Sequence, residues 1–140
     1  MFERILVAVD GSPFSDAALA TAAGLATKVG AEVDVIHVHE HEMPHSKAVH
    51  LAELESPTEA TVVIAAATTK LTAQGVHAQG HVLEADTHDV ARRIIEFADA
   101  SNAGVIIVGS RGLSTLTGML VGSVSNKLVH VAKVPVLVAR

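Results

Sequence analysis

The chain has 140 residues, of which 49% are hydrophobic and only 18% charged, with a formal net charge of −5. This balance excludes a disordered chain, which would combine low hydrophobicity with high charge, and it predicts a single compact domain over residues 1–140. Tryptophan and tyrosine are absent. Because single-stranded nucleic acid is held by aromatic side chains in basic grooves, an acidic chain without them is not expected to bind nucleic acid.

Cysteine is absent as well, which excludes disulfides, thiolate metal sites and a cysteine nucleophile. No apolar run reaches the roughly 18 residues of a membrane span. Residues 1–4 lead directly into a strand-like run rather than into the layout of a signal peptide. We therefore expect a soluble, cytoplasmic protein without membrane insertion.

The first part of the chain predicts a strand, a helix, a second strand and a loop. Residues 5–9 form a short, continuously apolar run before a Gly-Ser-Pro turn signal, which is typical of a strand buried on both faces. Apolar residues recur three and four positions apart over 15–28, and Gly30 follows as a stop signal, so a helix is predicted there. Residues 33–39 predict the second strand, and the polar stretch 39–45 is interpreted as a loop.

The rest of the chain continues the alternation. Residues 56–59 form a capping box, Ser-Pro-Thr-Glu, that starts a helix ending near Ala73. A strand over 78–83 follows, and then a helix that Asp86 caps. The remaining predicted elements are a strand over 105–108, a Gly-, Ser- and Thr-rich loop over 109–120, a helix over 121–132 and a strand over 135–138.

This alternation of buried strands and helices predicts an α/β fold, with an open, mostly parallel sheet and helices on each side. In such sheets a ligand binds beyond the carboxyl ends of the strands, at the place where the strand order reverses. The loops that follow the first and fourth strands are therefore the candidate binding loops.

Both of these loops carry glycine. The segments concerned are Asp10-Gly11-Ser12 after the first strand, Gly109-Ser110-Arg111-Gly112 after the fourth, and Gly122-Ser123 at the start of the last helix. Glycine lets backbone N–H groups approach an anion, and a helix start adds unpaired donors, so phosphate is the predicted ligand. Arg111 could add charge, Ser123 could add a hydroxyl donor, and Asp10 could accept a hydrogen bond from a ribose hydroxyl. Alternatively, the glycines serve only as turn residues and Ser123 only caps its helix.

Common motifs of nucleotide-binding and hydrolytic enzymes are missing. Neither G-x-x-x-x-G-K-[ST] nor G-x-G-x-x-G occurs, which excludes Walker-type and Rossmann dinucleotide sites. No G-x-S-x-G elbow occurs either. Asp10 and Glu84 are the carboxylates best placed for catalysis, but we interpret them as ribose-binding, capping or solvent-facing groups, so no catalytic residue is assigned.

Three segments in the same order resemble the universal stress protein family, in its ATP-binding branch. They are the run 5–12, the motif G-x2-G-x9-G-[S/T] formed by Gly109, Gly112, Gly122 and Ser123, and the ending 135–138. The resemblance covers essentially the full length. It departs from the family at Ala85, where relatives often carry glycine, a difference expected to alter one turn near the ligand but not the phosphate loop.

The resemblance implies a three-layer, flavodoxin-like fold of the adenine nucleotide alpha hydrolase type. The five parallel strands would have the order 3-2-1-4-5, and ATP, with or without Mg²⁺, would bind between strands one and four. It implies that Asp10 lies near ribose and adenine, that Val38 contacts adenine, and that the motif wraps ribose and phosphates. The cofactor-binding residues assigned in this way are Asp10, Gly11, Ser12, Val38, Gly109, Ser110, Arg111, Gly112, Leu113, Gly122, Ser123 and Val124.

Histidines near the end of the second strand raise the question of a metal. His37 and His39 share a strand face and could meet His41 or His45 around zinc, or make the region pH-sensitive. The sequence places no clear carboxylate ligand beside them. We interpret the stretch as a solvated loop, so no protein metal site is assigned.

The last predicted strand is a candidate interface. Residues 134–138 are apolar, contain no lysine, and would lie at a sheet edge, where backbone groups invite pairing. A helix covering that edge is the alternative. Because relatives usually dimerise through this strand, the resemblance implies a homodimer through 134–139.

The sequence therefore predicts an ATP-binding regulatory or signalling module of the stress response. Two alternatives are a slow Mg²⁺-dependent ATP hydrolase or switch, and a nucleotide-free protein of the same fold that binds a partner.

Overall fold

The computed structural model describes residues 2–41, 57–111 and 122–140. The described elements alternate between strand and helix, as predicted. In chain order they are β1 (Arg4–Ala8), α1 (Pro13–Val29), β2 (Glu32–His41), α2 (Pro57–Thr72), β3 (Ala78–Asp86), α3 (Val90–Ser101), β4 (Val105–Gly109), α4 (Ser123–Val131) and β5 (Val136–Ala139).

The five strands form one parallel sheet in the order β3-β2-β1-β4-β5, which confirms the predicted order. The last residue of β1, Ala8, pairs with Ile36 on β2 and with Val108 on β4. The chain leaves β1 to form β2 on one side, whereas β4 lies on the other. The strand order therefore reverses between β1 and β4, where sheets of this kind bind ligands.

Helices cover both faces of the sheet, and the strand period of two sends alternate side chains to each side. Val33 and Val35 of β2 belong to a core with the buried alanines of α1 and with α2. Ile36 faces the opposite core, which includes Ile94 of α3 and Leu128 of α4. The small side chains of α1 let its backbone lie close to the sheet, which is the structural consequence of the alanine-rich composition.

Two predicted boundaries are wrong. β2 continues to His41, whereas the sequence predicted a loop from His39, because β3 pairs with it as far as His41 opposite Asp86. The backbone pairing keeps this polar stretch extended. Asp86 is the last residue of β3 rather than a helix cap, and Asp89 takes the cap position of α3. The hydrogen bond from Arg92 holds the pKa of Asp89 below its usual value.

A buried carboxylate lies near the amino ends of the strands. Asp34 is only 2% exposed, accepts a hydrogen bond from Arg4 at 3.0 Å, and lies 3.0 Å from Nε2 of His81. The hydrogen bond to Asp34 raises the pKa of Arg4 above its usual value. The His81 ring packs on Phe97 with 4.9 Å between ring centroids. This cluster ties together the first strand, the second strand, the third strand and α3.

Within the described part of the chain, none of the helices combines the length and the apolar character that a membrane crossing requires. The cytoplasmic location expected from the sequence stays a prediction.

Candidate functional site

The two candidate loops leave the sheet side by side. β1 and β4 are paired in register up to Ala8 and Val108, and both strands run in the same direction. Residues 10–12 and 109–111 therefore follow adjacent strand ends at the carboxyl edge of the sheet. This places the predicted loops together at the reversal of strand order.

Asp10 organises the turn that starts α1. Its Oδ1 accepts hydrogen bonds from the Ser12 backbone N–H and from the Ser15 hydroxyl, both at 2.9 Å. The Asp10 backbone N–H in turn donates to Ser15 Oγ at 3.0 Å. Gly11 sits between them with φ +81°, a left-handed conformation that favours glycine. The ribose role predicted for Asp10 stays a prediction, but one oxygen of its carboxylate already holds the loop.

The Ser12 side chain, in the same turn, differs from those of Asp10 and Ser15 in its hydrogen bonding. It occupies the cap position of α1 but makes no side-chain cap hydrogen bond. It is only 4% exposed, and its Oγ has no hydrogen-bond partner among the described residues. A buried hydroxyl without a partner costs free energy, so its presence at a binding edge points to a ligand that satisfies it.

Gly109 brings the end of β4 into direct contact with the first turn of α1. A Cβ built on Gly109 would lie 2.8 Å from the carbonyl oxygen of Phe14, in the first turn of α1. No real Cβ atom tolerates such a distance to a backbone oxygen. The close approach of β4 to α1 therefore requires glycine at this position, independently of any ligand.

The start of α4 is anchored to the end of β4. The Gly122 backbone N–H donates to the Ser110 carbonyl at 2.6 Å, and the Ser125 hydroxyl donates to the Gly109 carbonyl at 2.7 Å. Gly122 caps the helix with an extended backbone, φ −66° and ψ 163°, and supplies no side-chain cap. The first N–H groups of α4 are thus held in place without a side chain of the cap residue to satisfy them, which is the arrangement that binds anions.

The other predicted residues lie on β2, after β4 and in α4, or outside the described residues. Val38 is half-buried on the α3 and α4 face of β2, two residues beyond the partner of Ala8. Val124 packs against the same core. Ser123 is exposed and Arg111 is half-buried. Gly112 and Leu113 lie outside the described residues.

Sequence reasoning missed the two serines that anchor this site. Ser15 is the third residue of α1 and ties the helix to Asp10, and Ser125 is the third residue of α4 and ties that helix to Gly109. Their equal spacing, three residues after Ser12 and Gly122, is visible in the sequence. Such a spacing alone did not distinguish an anchoring serine from an ordinary helical one.

The family profile described as the Universal stress protein family matches residues 1–140. The chain belongs to the universal stress protein family. It is 32% identical to the universal stress protein YxiE of Bacillus subtilis (strain 168) over 151 residues, covering 100% of both chains.

Solved universal stress proteins share this fold. The structure of the universal stress protein from Archaeoglobus fulgidus in complex with dAMP has a TM-score of 0.72 at 23% identity, covering 99% of this chain and 98% of that one. A universal stress protein in complex with cAMP has a TM-score of 0.75 at 23% identity, covering 99% of this chain and 97% of that one. Both of these neighbours bind adenine nucleotides.

Proposed function

We propose that this universal stress protein binds an adenine nucleotide, ATP in the first place, between the ends of β1 and β4, and acts as a regulatory module in the stress response. The observation that carries the proposal is the start of α4, anchored to β4 at the reversal of strand order and left without a side-chain cap. The nucleotide-bound family members of the same fold support the choice of an adenine nucleotide.

The residues present fit such a ligand. Backbone N–H groups at the start of α4 and the positive end of its dipole favour phosphate, and the buried Ser12 hydroxyl supplies a donor that nothing else described uses. Arg111, half-buried beside the loop, adds positive charge. The negative net charge of the chain does not prevent phosphate binding, because these donors act locally.

The base would be held without aromatic stacking. The chain has no tryptophan or tyrosine, and Val38 and Val124 offer aliphatic surface on the same side of the sheet. Adenine recognition would then depend on van der Waals contact with these valines and on backbone groups. Mg²⁺, where it accompanies ATP, would be held by the phosphates.

Isothermal titration calorimetry with ATP, ADP and AMP, each with and without Mg²⁺, tests the proposal. We expect binding by the wild-type chain and its loss in Gly122→Val, because a side chain there would occupy the space of the phosphates. The extended backbone of Gly122 accepts any residue, so circular dichroism should be unchanged. The exposed Gly24, which has nothing within 4 Å of a built Cβ, provides the control Gly24→Val.

Absence of binding by all three nucleotides, or full affinity in Gly122→Val, would overturn the proposal. Phosphate release during the titration separates a binding module from a hydrolase: Mg²⁺-dependent turnover that falls in Asp10→Asn would show catalysis. Native mass spectrometry of gently purified protein shows whether nucleotide accompanies the chain.

We also propose that two copies of the chain pair through β5. β5 is one edge strand of the sheet. The carbonyls of Pro135 and Ala139 accept hydrogen bonds from β4, and since backbone groups of successive strand residues point to opposite sides, those of Val136 and Val138 point away from β4. On the adjoining α4, Val129 and Val131 are more than half exposed. An apolar edge with outward backbone groups favours pairing with a second copy.

A further inference from the structure

Three potential metal ligands lie at the carboxyl ends of β2 and β3. His39 and His41 are two residues apart on β2, so their side chains share one face of the sheet. The strand register pairs His39 with Glu84 on β3, which places the Glu84 carboxylate on that same face. One ligand atom from each of the three residues lies within 4.8 Å of the others.

From this geometry we propose that His39, His41 and Glu84 form a binding site for a divalent transition-metal ion of the Zn²⁺ or Ni²⁺ class. Two imidazoles and one carboxylate are the donor set that suits these ions. Mg²⁺ and Ca²⁺ prefer oxygen ligands and do not compete at such a site. Three protein ligands leave a coordination position for water or for another ligand.

The side chains are close to the required arrangement. His41 Nε2 lies 3.5 Å from Glu84 Oε2, and the rings of His39 and His41 pack edge to face with 4.8 Å between centroids. Bonds of about 2.0–2.2 Å in a tetrahedral site set ligand atoms about 3.3 Å apart, so only small side-chain rotations are needed. Without a metal ion, His41 and Glu84 form an exposed side-chain pair at the protein surface.

The three residues differ in burial: His39 is buried, and His41 and Glu84 are exposed. His39 is only 6% exposed, so its ring position is set by the fold. The side chains of His41 and Glu84 are 47% and 71% exposed, so they can rotate toward an ion that enters from solvent. Because the His39 ring is already held in place, less side-chain entropy is lost when a metal ion binds.

The site lies on the opposite face of β2 from Val38, the residue predicted to contact adenine. Val33 and Val35 of β2 pack in the core with α1 and α2, and by strand alternation residues 37, 39 and 41 point to that same face, whereas Val38 lies on the opposite face. His37 shares the histidine face, but its Nδ1 hydrogen-bonds to the Val9 carbonyl at 2.7 Å, toward β1 and away from β3. The missing carboxylate that argued against a metal site in the sequence is supplied by pairing with β3.

Calorimetric titration of untagged, nucleotide-free protein with ZnSO4, and separately with NiCl2, tests the proposal. We expect the wild-type chain to bind close to one ion, and His41→Asn and Glu84→Gln each to weaken binding by roughly 10-fold or more. Both residues are exposed, so neither change should unfold the chain. His77→Asn is the matched control, because His77 is an exposed histidine beside Glu32 at the other end of the sheet.

Equal affinity in wild type and His41→Asn would show that His41 is not a ligand. An equal loss in His77→Asn would show that exposed histidines bind metal without a common site. Either result would overturn the proposal. NMR of the imidazole protons gives a second readout: Zn²⁺ should shift the ring signals of His39 and His41 together. Shifts confined to other histidines would contradict the proposal. Nucleotide binding is measured separately, so failure here leaves the nucleotide proposal untouched.

Discussion

Gly109 at the end of β4 lies directly against the Phe14 carbonyl in the first turn of α1, so closely that a Cβ on Gly109 would come within 2.8 Å of that oxygen. The end of β4 and the first turn of α1, next to the two loops proposed to bind nucleotide, thus meet at a backbone contact. Gly109 has a packing role in addition to the phosphate role that its motif implies.

Gly109→Ala should therefore destabilise the fold even without ligand. Because the atom in the way is backbone rather than a flexible side chain, α1 must move, at a cost of about 1–3 kcal/mol in the free energy of unfolding. Urea denaturation measures the change. Gly24→Ala, in the exposed middle of α1 with open space around its Cβ, should instead stabilise by about 0.5–1 kcal/mol. The same sign of effect in both variants would contradict the packing role.

Substitutions of Ser12 and Ser15, at the start of α1, should affect nucleotide affinity and fold stability differently. Ser12→Ala removes a buried hydroxyl that has no partner among the described residues, so the free energy of unfolding should stay unchanged or rise by about 1 kcal/mol. Nucleotide affinity should fall about 10-fold, because a hydrogen bond to a charged phosphate is lost. Calorimetry with ATP measures this fall.

Ser15→Ala is the comparison for that experiment. It removes two hydrogen bonds with Asp10 and should lower the free energy of unfolding by about 1–2 kcal/mol. If Ser12→Ala destabilises as much as Ser15→Ala and leaves ATP affinity unchanged, Ser12 is structural rather than ligand-binding.

The strands and the loops that end them could be predicted because they depend on local signals, whereas the strand order was implied by the resemblance to the universal stress protein family. Apolar runs such as 105–108 indicate buried strands, and glycines mark where they end. The end of β2 could not be predicted, because His39 and His41 are polar and only their pairing with β3, more than 40 residues away, keeps them extended. The contact of Gly109 with Phe14 likewise depends on packing between distant segments.

The burial of Asp34 could not be predicted either, for the same reason. Asp34 looks like any polar residue of a strand, and its partners Arg4 and His81 belong to other strands. Asp34→Ala should lower the free energy of unfolding by about 1–3 kcal/mol, because a buried, hydrogen-bonded carboxylate is removed.

Two comparisons decide whether this loss comes from the buried cluster. Glu32→Ala removes a half-exposed partner of Arg4 and should change the free energy of unfolding by less than about 0.5 kcal/mol. In an Arg4→Met background, Asp34→Ala should cost less than in wild type, since the pair is already broken. Strictly additive effects in this double-mutant cycle would mean that Arg4 and Asp34 are not coupled.

Val138→Pro should dissociate the proposed dimer into monomers. Proline at this edge position removes an N–H that points away from β4, so β5 should stay in its own sheet while pairing with a second copy is blocked. Light scattering after size exclusion, at micromolar concentration, should show a dimer for wild type and a monomer for the variant.

Val82→Pro on the opposite edge strand, β3, is the matched control. Its side chain is 42% exposed, and by strand alternation its backbone also points away from β2. We expect this variant to remain a dimer. A wild-type monomer, or a dimer that survives Val138→Pro, would exclude an interface through β5.

Ser15 and Ser125 hold the starts of two helices by hydrogen bonds within the protein itself. The conformational entropy of ordering these donors is therefore lost when the chain folds, not when a ligand arrives. In the proposed site, the same phosphate-binding groups would therefore meet every nucleotide. Discrimination between one, two and three phosphates would then depend on residues beyond the two helix starts.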